Sequence, residues 1–167
     1  VQWGELDVMI LDLPPGTGDI QLTLTQKLRM SGAVIVTTPQ DIALADVRKG
    51  ADMFRKVNTP VLGVIENMSG LVIEGAVDGG ISSITINGEN IEVDSSGKFR
   101  FKMDLFKTGG GKKESERLGV PLLGKIPIST EIMSATDAGV PLTQKDPDSP
   151  LGQIYLNIAR DLMSSLD

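Results

Sequence analysis

An acidic residue, two prolines and two glycines lie close together near the start of the chain, in the string Asp12-Leu-Pro-Pro-Gly-Thr-Gly-Asp19. Asp12 ends an apolar run, and a carboxylate at the carboxyl end of a strand can hold Mg²⁺ through water. Gly16 and Gly18 let backbone amides approach a phosphate, and a helix N-terminus just beyond favours negative charge. The string therefore indicates a phosphate and Mg²⁺ site, or else a tight strand-to-helix turn with Asp12 as a local cap.

The composition excludes several classes of chemistry. The 167 residues include no Cys and no His, which rules out disulfides, the usual zinc sites, Cys or His nucleophiles and any Ser-His-Asp triad. The net charge of −6 argues against a general nucleic-acid surface. No apolar run approaches the length of a membrane span, and the first residues show no signal pattern. We therefore expect no nucleic-acid partner, no membrane partner and a cytoplasmic location.

The elements that must position these residues follow from hydrophobic periodicity. Short apolar runs predict strands buried on both faces, as in a parallel sheet, over residues 6–13, 33–38, 60–65 and 120–126. A helix is predicted to start at Asp19 as N-cap, with Ile20, Leu24 and Leu28 at helical spacing. Further helices are predicted over residues 41–57, 112–118, 131–138 and 150–162. The predicted fold is therefore α/β, a mainly parallel sheet flanked by helices.

Residues 71–105 follow a different pattern. Residues 84–86 and 91–93 flank the turn signal Asn87-Gly88, and apolar residues alternate with polar ones from Phe99 to Leu105. Such alternation is typical of an antiparallel meander with one solvated face. We expect a small antiparallel β insertion over 71–105 within a domain formed by 1–70 and 106–167. The insertion is either a partner-binding platform or a surface elaboration.

Five segments together carry a family resemblance. They are residues 5–19 (ELDVMILDLPPGTGD), 37–54 (TTPQDIALADVRKGADMF), 60–69 (PVLGVIENMS), 109–128 (GGGKKESERLGVPLLGKIPI) and 137–142 (DAGVPL). In these segments the chain resembles the Mrp/NBP35 (ApbC-like) iron-sulfur carrier ATPases, which are P-loop relatives of MinD and ParA. The combination covers most of the chain outside the β insertion and is more specific than any one motif.

The resemblance implies roles for particular residues. Asp12 would be the Walker-B-type carboxylate of the Mg²⁺ shell, and Pro15 and Gly16 would belong to the switch that senses the γ-phosphate, with Gly16 donating a backbone N–H. Asn67 would hydrogen-bond the adenine edge, because its amide both donates and accepts. Pro127, following the fourth strand, would line the adenine pocket. The alternatives are a strand-end turn residue for Asn67 and a simple strand stop for Pro127.

Two departures from the family limit what this chain is expected to do alone. The family's Walker A loop lies upstream of the Asp12 motif and is absent, so we expect the C-terminal part of an ATPase that does not hydrolyse ATP by itself. The string GGGKK at residues 109–113 lacks the G-x-x-x-x-G-K-[ST] spacing and matches a family segment that begins a helix. The family's C-x-x-C pair is also missing, so iron-sulfur cluster binding by this chain is not expected.

The implied function is that of an ATP- and Mg²⁺-binding protein in iron-sulfur cluster assembly or transfer. It would act as a homodimer with iron-sulfur client or scaffold proteins, and nucleotide would order the switch after Asp12. The alternative is a non-catalytic interaction domain that uses the α/β core as a scaffold and the β insertion as its binding surface.

Overall fold

The computed structural model describes residues 2–14, 18–106 and 108–166. In chain order the elements are α1 (Asp19–Lys27), β1 (Ala33–Thr37), α2 (Asp41–Lys56), β2 (Val61–Ala76), β3 (Ser83–Ile86), β4 (Glu89–Glu92), β5 (Lys98–Met103), α3 (Gly110–Leu118), β6 (Leu122–Ile128), α4 (Thr130–Asp137), α5 (Leu142–Lys145) and α6 (Pro150–Ser164). The predicted helices over 41–57, 112–118, 131–138 and 150–162 are confirmed to within a few residues. The short helix α5 was not predicted.

Strand β2 is the centre of the main sheet. Its first part pairs in parallel with β1 and, on its other side, with β6. Its second part pairs antiparallel with β5. Leu71 is in register with both Met103 of β5 and Ile128 of β6, so β5 and β6 lie on opposite sides of β2. The α/β fold with a mainly parallel sheet and a small antiparallel part is confirmed.

Helices cover both faces of the parallel part. One cluster joins Ile35 of β1, Val64 of β2 and Ala51 of α2, with Leu118 of α3 packed against it. Ile65, which follows Val64 in β2, belongs to another cluster, together with Leu123 of β6 and Ile158 of α6. Successive strand residues point to opposite faces, so the helices α2 and α3 cover one face and α6 covers the other.

The predicted first strand is wrong. Residues 6–13 form no strand, and Ile10 is 86% exposed. An apolar run becomes a buried strand only where neighbouring strands complete its backbone hydrogen bonds, and no described strand pairs with this run. The sequence of the segment shows that it is apolar, but it does not show whether a neighbouring strand is available to pair with it.

Helix α1 forms as predicted, but its buried face is not the predicted one. Gly18 occupies the N-cap position and Asp19 is the first helical residue. Ile20 is 67% exposed, whereas Gln21 and Thr25 are buried. The Gln21 amide donates to the Pro14 carbonyl, so contacts with the preceding segment decide which face is covered.

The third predicted strand is much longer than its apolar run. Strand β2 continues beyond residue 65 to Ala76, so it runs through residue 71, where the β insertion was expected to begin. The hairpin of β3 and β4 turns at Asn87 and Gly88, whose φ angles of 49° and 86° are the left-handed values that a type I′ turn requires. Among the described residues no helix is long and apolar enough to cross a membrane.

Candidate functional site

The residues predicted to contact adenine meet at the carboxyl end of the parallel strands. Asn67 of β2 is in register with Ile126 of β6, and Pro127 is the next residue along β6. Pro127 is inside β6, which ends at Ile128, and so does not follow the strand as expected. Parallel strands present their carboxyl ends at one edge of a sheet, and ligands of open α/β folds bind there. The structure thus brings together two of the predicted site residues.

A sharp backbone turn follows Asn67. Its side-chain Oδ1 accepts the Met68 N–H at 2.9 Å, and Met68 has a left-handed φ of 54°. Gly70 also has a left-handed φ, of 87°, and the pairing between β2 and β6 is irregular from Asn67 to Leu71. A left-handed backbone conformation is strained for a residue with a long side chain such as Met, and backbone strain of this kind is often found at functional positions. The hydrogen bond from the Met68 N–H therefore holds the Asn67 side chain in place.

Sequence reasoning missed Glu66, the most buried acidic side chain at this edge. Only 1% of Glu66 is exposed. Its Oε2 accepts the Gly111 N–H at 2.6 Å and its Oε1 accepts the Ser69 hydroxyl at 2.8 Å. The Lys125 ammonium lies 3.8 Å from Oε1. An acidic residue directly after a buried apolar run was the available signal, but its partners are distant in sequence.

The GGGKK string begins helix α3 and packs it against this edge. A Cβ on Gly110 would lie 2.8 Å from the Pro39 carbonyl oxygen, and one on Gly111 would lie 2.8 Å from the Glu66 Cβ. The glycines therefore permit close contact between the helix and strands β1 and β2. The Gly111 amide, which a phosphate would need, already donates to Glu66. The expected helix start is confirmed.

An ion cluster around the buried Glu114 links α3 to α2. Glu114 of α3 is almost fully buried, and its carboxylate accepts from Arg117 Nε at 2.8 Å and from Arg48 Nε at 3.4 Å. The hydrogen bond to Glu114 raises the pKa of Arg117, so its guanidinium stays charged. This cluster holds the N-terminus of α3 in place over Glu66.

Asp12, the predicted Mg²⁺ ligand, lies outside every described helix and strand. Asp12 lies in the irregular segment 2–14 and is exposed. Pro15 and Gly16 lie outside the described residues. Within the described ranges, no group of three or more acidic, Cys or His side chains is arranged to hold a metal ion. The roles of these three residues stay predictions.

The sequence matches the ParA family described as the NUBPL iron-transfer P-loop NTPases, over residues 1–79 and 80–163. The chain belongs to this family. This confirms the resemblance drawn from the five sequence segments.

Curated relatives of the chain are named as iron-sulfur cluster carrier or transfer proteins. An iron-sulfur cluster carrier protein of Pseudomonas fragi is 45% identical over 94% of this chain and 47% of its own length. The iron-sulfur cluster transfer protein NUBPL of Mus musculus is 40% identical over 99% of this chain and 45% of its own length. The chain therefore spans about half the length of the curated relatives it matches.

Solved structures agree on the P-loop NTPase fold. A nucleotide-binding protein from Archaeoglobus fulgidus in complex with ADP is 31% identical, with a TM-score of 0.57 over 82% of this chain and 47% of that one. The septum site-determining protein MinD of Pyrococcus horikoshii, complexed with Mg-ADP, is 20% identical, with a TM-score of 0.51 over 79% of this chain and 41% of that one. The second likeness concerns the fold alone.

Proposed function

We propose that these residues form the adenine-binding half of an ATP-binding protein that takes part in iron-sulfur cluster transfer. The observation that carries the proposal is the position of Asn67 and Pro127 on adjacent parallel strands at the carboxyl edge of the sheet. The Archaeoglobus fulgidus protein, which is 31% identical, is in complex with ADP. The curated relatives are named as iron-sulfur cluster carriers and transfer proteins.

Asn67 suits adenine recognition through its remaining hydrogen-bonding capacity. Its Oδ1 uses one lone pair on the Met68 N–H and keeps a second. In the described part of the chain its amide nitrogen has no recorded partner, so both N–H groups can reach a base edge. Pro127, on the neighbouring strand, would line the adenine pocket. Loss of either polar function at Asn67 would weaken recognition of the base more than recognition of the phosphates.

At the phosphate end we propose the roles that the resemblance implies. Asp12 would hold the hydration shell of Mg²⁺, because carboxylates bind this ion through water. Pro15 and Gly16 would form the switch, with the Gly16 N–H donating to the γ-phosphate. Hydrolysis needs a phosphate loop with its Lys and hydroxyl in addition. We therefore assign nucleotide binding, and not hydrolysis, to this stretch of residues.

The iron-sulfur cluster would be cargo, and these residues do not fit it as ligands. Such clusters are held mainly by Cys thiolates, sometimes with His, and the chain has neither residue. Thiolates for the cargo would therefore come from outside these 167 residues. We propose a cytoplasmic homodimer that works with iron-sulfur client or scaffold proteins, with these residues sensing the nucleotide.

Binding of ATP to the full-length protein tests the proposal. Asn67→Ala should weaken ATP binding by roughly tenfold, the factor that about 1.4 kcal/mol represents, while binding of tripolyphosphate, which lacks the base, stays unchanged. Asn90→Ala, an exposed amide on β4 in the hairpin, is the matched control and should bind ATP normally. Unchanged ATP affinity in Asn67→Ala would remove the adenine assignment.

A further inference from the structure

A polar cavity of about 300 Å³ lies next to the carboxyl edge, and its described lining includes none of Asp12, Asn67 and Pro127. It opens between the end of β1, the irregular part of β2, strands β5 and β6 and the residues that follow β5. Its polar side chains are Glu66, Ser69, Lys102, Asp104, Thr108 and Lys125. We call it the two-lysine cavity.

Lys102 and Lys125 reach the cavity from strands on opposite sides of β2. Gly70 makes room for the first, because a Cβ there would lie 2.6 Å from the Lys102 Cε. The Lys102 ammonium is 4.0 Å from the Asp104 carboxylate, and the Lys125 ammonium is 3.8 Å from that of Glu66. Both separations exceed hydrogen-bonding distance. Each ammonium therefore keeps donors for a ligand.

The buried carboxylate of Glu66 does not oppose an anion as strongly as its charge suggests. Its two oxygens already accept from the Ser69 hydroxyl and the Gly111 N–H. The Gly111 amide belongs to the first turn of α3, whose positive dipole end compensates a carboxylate. Lys125 is therefore not needed to satisfy Glu66, and its charge is available to the cavity.

We infer that the two-lysine cavity binds a small oxyanion, which accepts hydrogen bonds from Lys102 and Lys125 together. Charge-assisted hydrogen bonds from two ammonium groups favour phosphate, sulfate or a small carboxylate. A cation is disfavoured, because it would face two lysines while one of the two carboxylates is already hydrogen-bonded. The site is separate from the proposed adenine contacts and does not depend on them.

Titration with inorganic phosphate, followed by NMR of the chain's backbone amides at low ionic strength, tests the inference. Saturable shifts are expected at Ser69, Gly70 and Lys125. Lys102→Met should weaken phosphate binding by roughly tenfold, since one charge-assisted hydrogen bond is lost. Lys98→Met, four residues earlier on the same face of β5 but outside the cavity, is the matched control and should leave the affinity unchanged.

The sign of a second change separates an anion site from other sites. Asp104→Asn removes a negative charge from the cavity wall, so it should tighten phosphate binding by roughly two- to fivefold. Weaker binding in this variant, or equal affinities for Lys102→Met and Lys98→Met, would overturn the inference. Lys102 is half-exposed, so its loss should not unfold the chain, and thermal melting verifies this.

Further arms identify the oxyanion and keep the site distinct from the nucleotide site. Malonate in place of phosphate shows whether carboxylates bind equally well, and either anion supports the inference. Asn67→Ala should leave phosphate binding unchanged, whatever it does to ATP. Shifts at Asp12 and Asp19 in place of those at Ser69, Gly70 and Lys125 would put the anion at the proposed nucleotide-phosphate site and would contradict a separate cavity.

Discussion

The two halves of β2 carry the same residue type in opposite settings. Residues 61–67 pair in parallel with β1 and β6, and residues 71–76 pair antiparallel with β5. Glu66 in the first half is 1% exposed and is hydrogen-bonded to Ser69 and Gly111. The Glu74 side chain in the second half is 58% exposed and pairs with Arg100 at 3.1 Å. A single strand thus passes from a core setting to a solvated one.

The difference comes from what covers each half. Helices α2 and α3 pack on one face of the parallel half and α6 on the other, so even a charged side chain there must find internal partners. In the antiparallel half, the charged side chains of β5 are exposed to solvent on one face of the sheet, and Phe101 is buried on the other face. Asn67, which is proposed to contact adenine, lies where the covered half ends.

The largest effect is expected at Glu66. Glu66→Ala leaves the buried Gly111 N–H and the Ser69 hydroxyl without their shared acceptor. This should lower the free energy of unfolding by about 3 kcal/mol. Glu74→Ala, on the same strand, removes only a solvated ion pair and should cost less than about 1 kcal/mol. Urea denaturation measures both losses, and equal losses would contradict the contrast between the halves.

Substitutions of two apolar residues, one in each half of β2, test the same difference in burial without changing any charge. Val64 is fully buried in the parallel half, so Val64→Ala should cost about 2 kcal/mol through lost burial and a cavity. Ile73 in the antiparallel half is only half-buried, so Ile73→Ala should cost about 1 kcal/mol although it removes more atoms. Chemical denaturation measures the loss in the free energy of unfolding for each variant. A larger loss for Ile73→Ala than for Val64→Ala would contradict the contrast between the two halves.

The close approach of α3 to the parallel half is tested at Gly111. A Cβ there would lie 2.8 Å from the Glu66 Cβ, so Gly111→Ala should destabilise the fold by about 1–2 kcal/mol. Gly50 in α2 has open space around an added Cβ, so Gly50→Ala should stabilise by about 0.5–1 kcal/mol. Thermal melting distinguishes the two glycines by the sign of the change.

The smallest effect concerns the turn before β5, which continues the solvated half. Asp94 accepts from the Ser96 hydroxyl and from the Ser96 and Lys98 amides. The hydrogen bond from the Ser96 hydroxyl, and next the one from the Lys98 amide, lower the pKa of Asp94 below its ordinary 3.8. A lowered pKa means that these contacts contribute fully above about pH 4 and are lost as pH falls through the folded pKa.

NMR titration measures this directly. The Asp94 carboxyl carbon should titrate below pH 3.8, and the Ser96 and Lys98 amide shifts should move with it. In Asp94→Asn those two amides should no longer titrate in this range. A midpoint above 3.8 would mean that the turn does not stabilise the carboxylate.

Much of the fold could be predicted because its signals are local. Spacing identified α2, α3, α4 and α6, and the Asn87-Gly88 signal located the hairpin turn. The predicted site residues differ in where the structure places them, and their roles stay predictions. Asn67 and Pro127 follow apolar runs whose ends meet, whereas Asp12 follows a run that finds no described strand to pair with.

The sequence by itself determined the type of most elements and the family, because periodicity, turn residues and motif strings are properties of neighbouring residues. Only the tertiary structure decided the environment of Glu66, since its partner Gly111 is 45 positions away and the helix start must dock before the amide meets the carboxylate. The same holds for residues 6–13, whose apolar pattern cannot become a strand without a partner, and for β2, whose length is set by the two strands that pair with its second half.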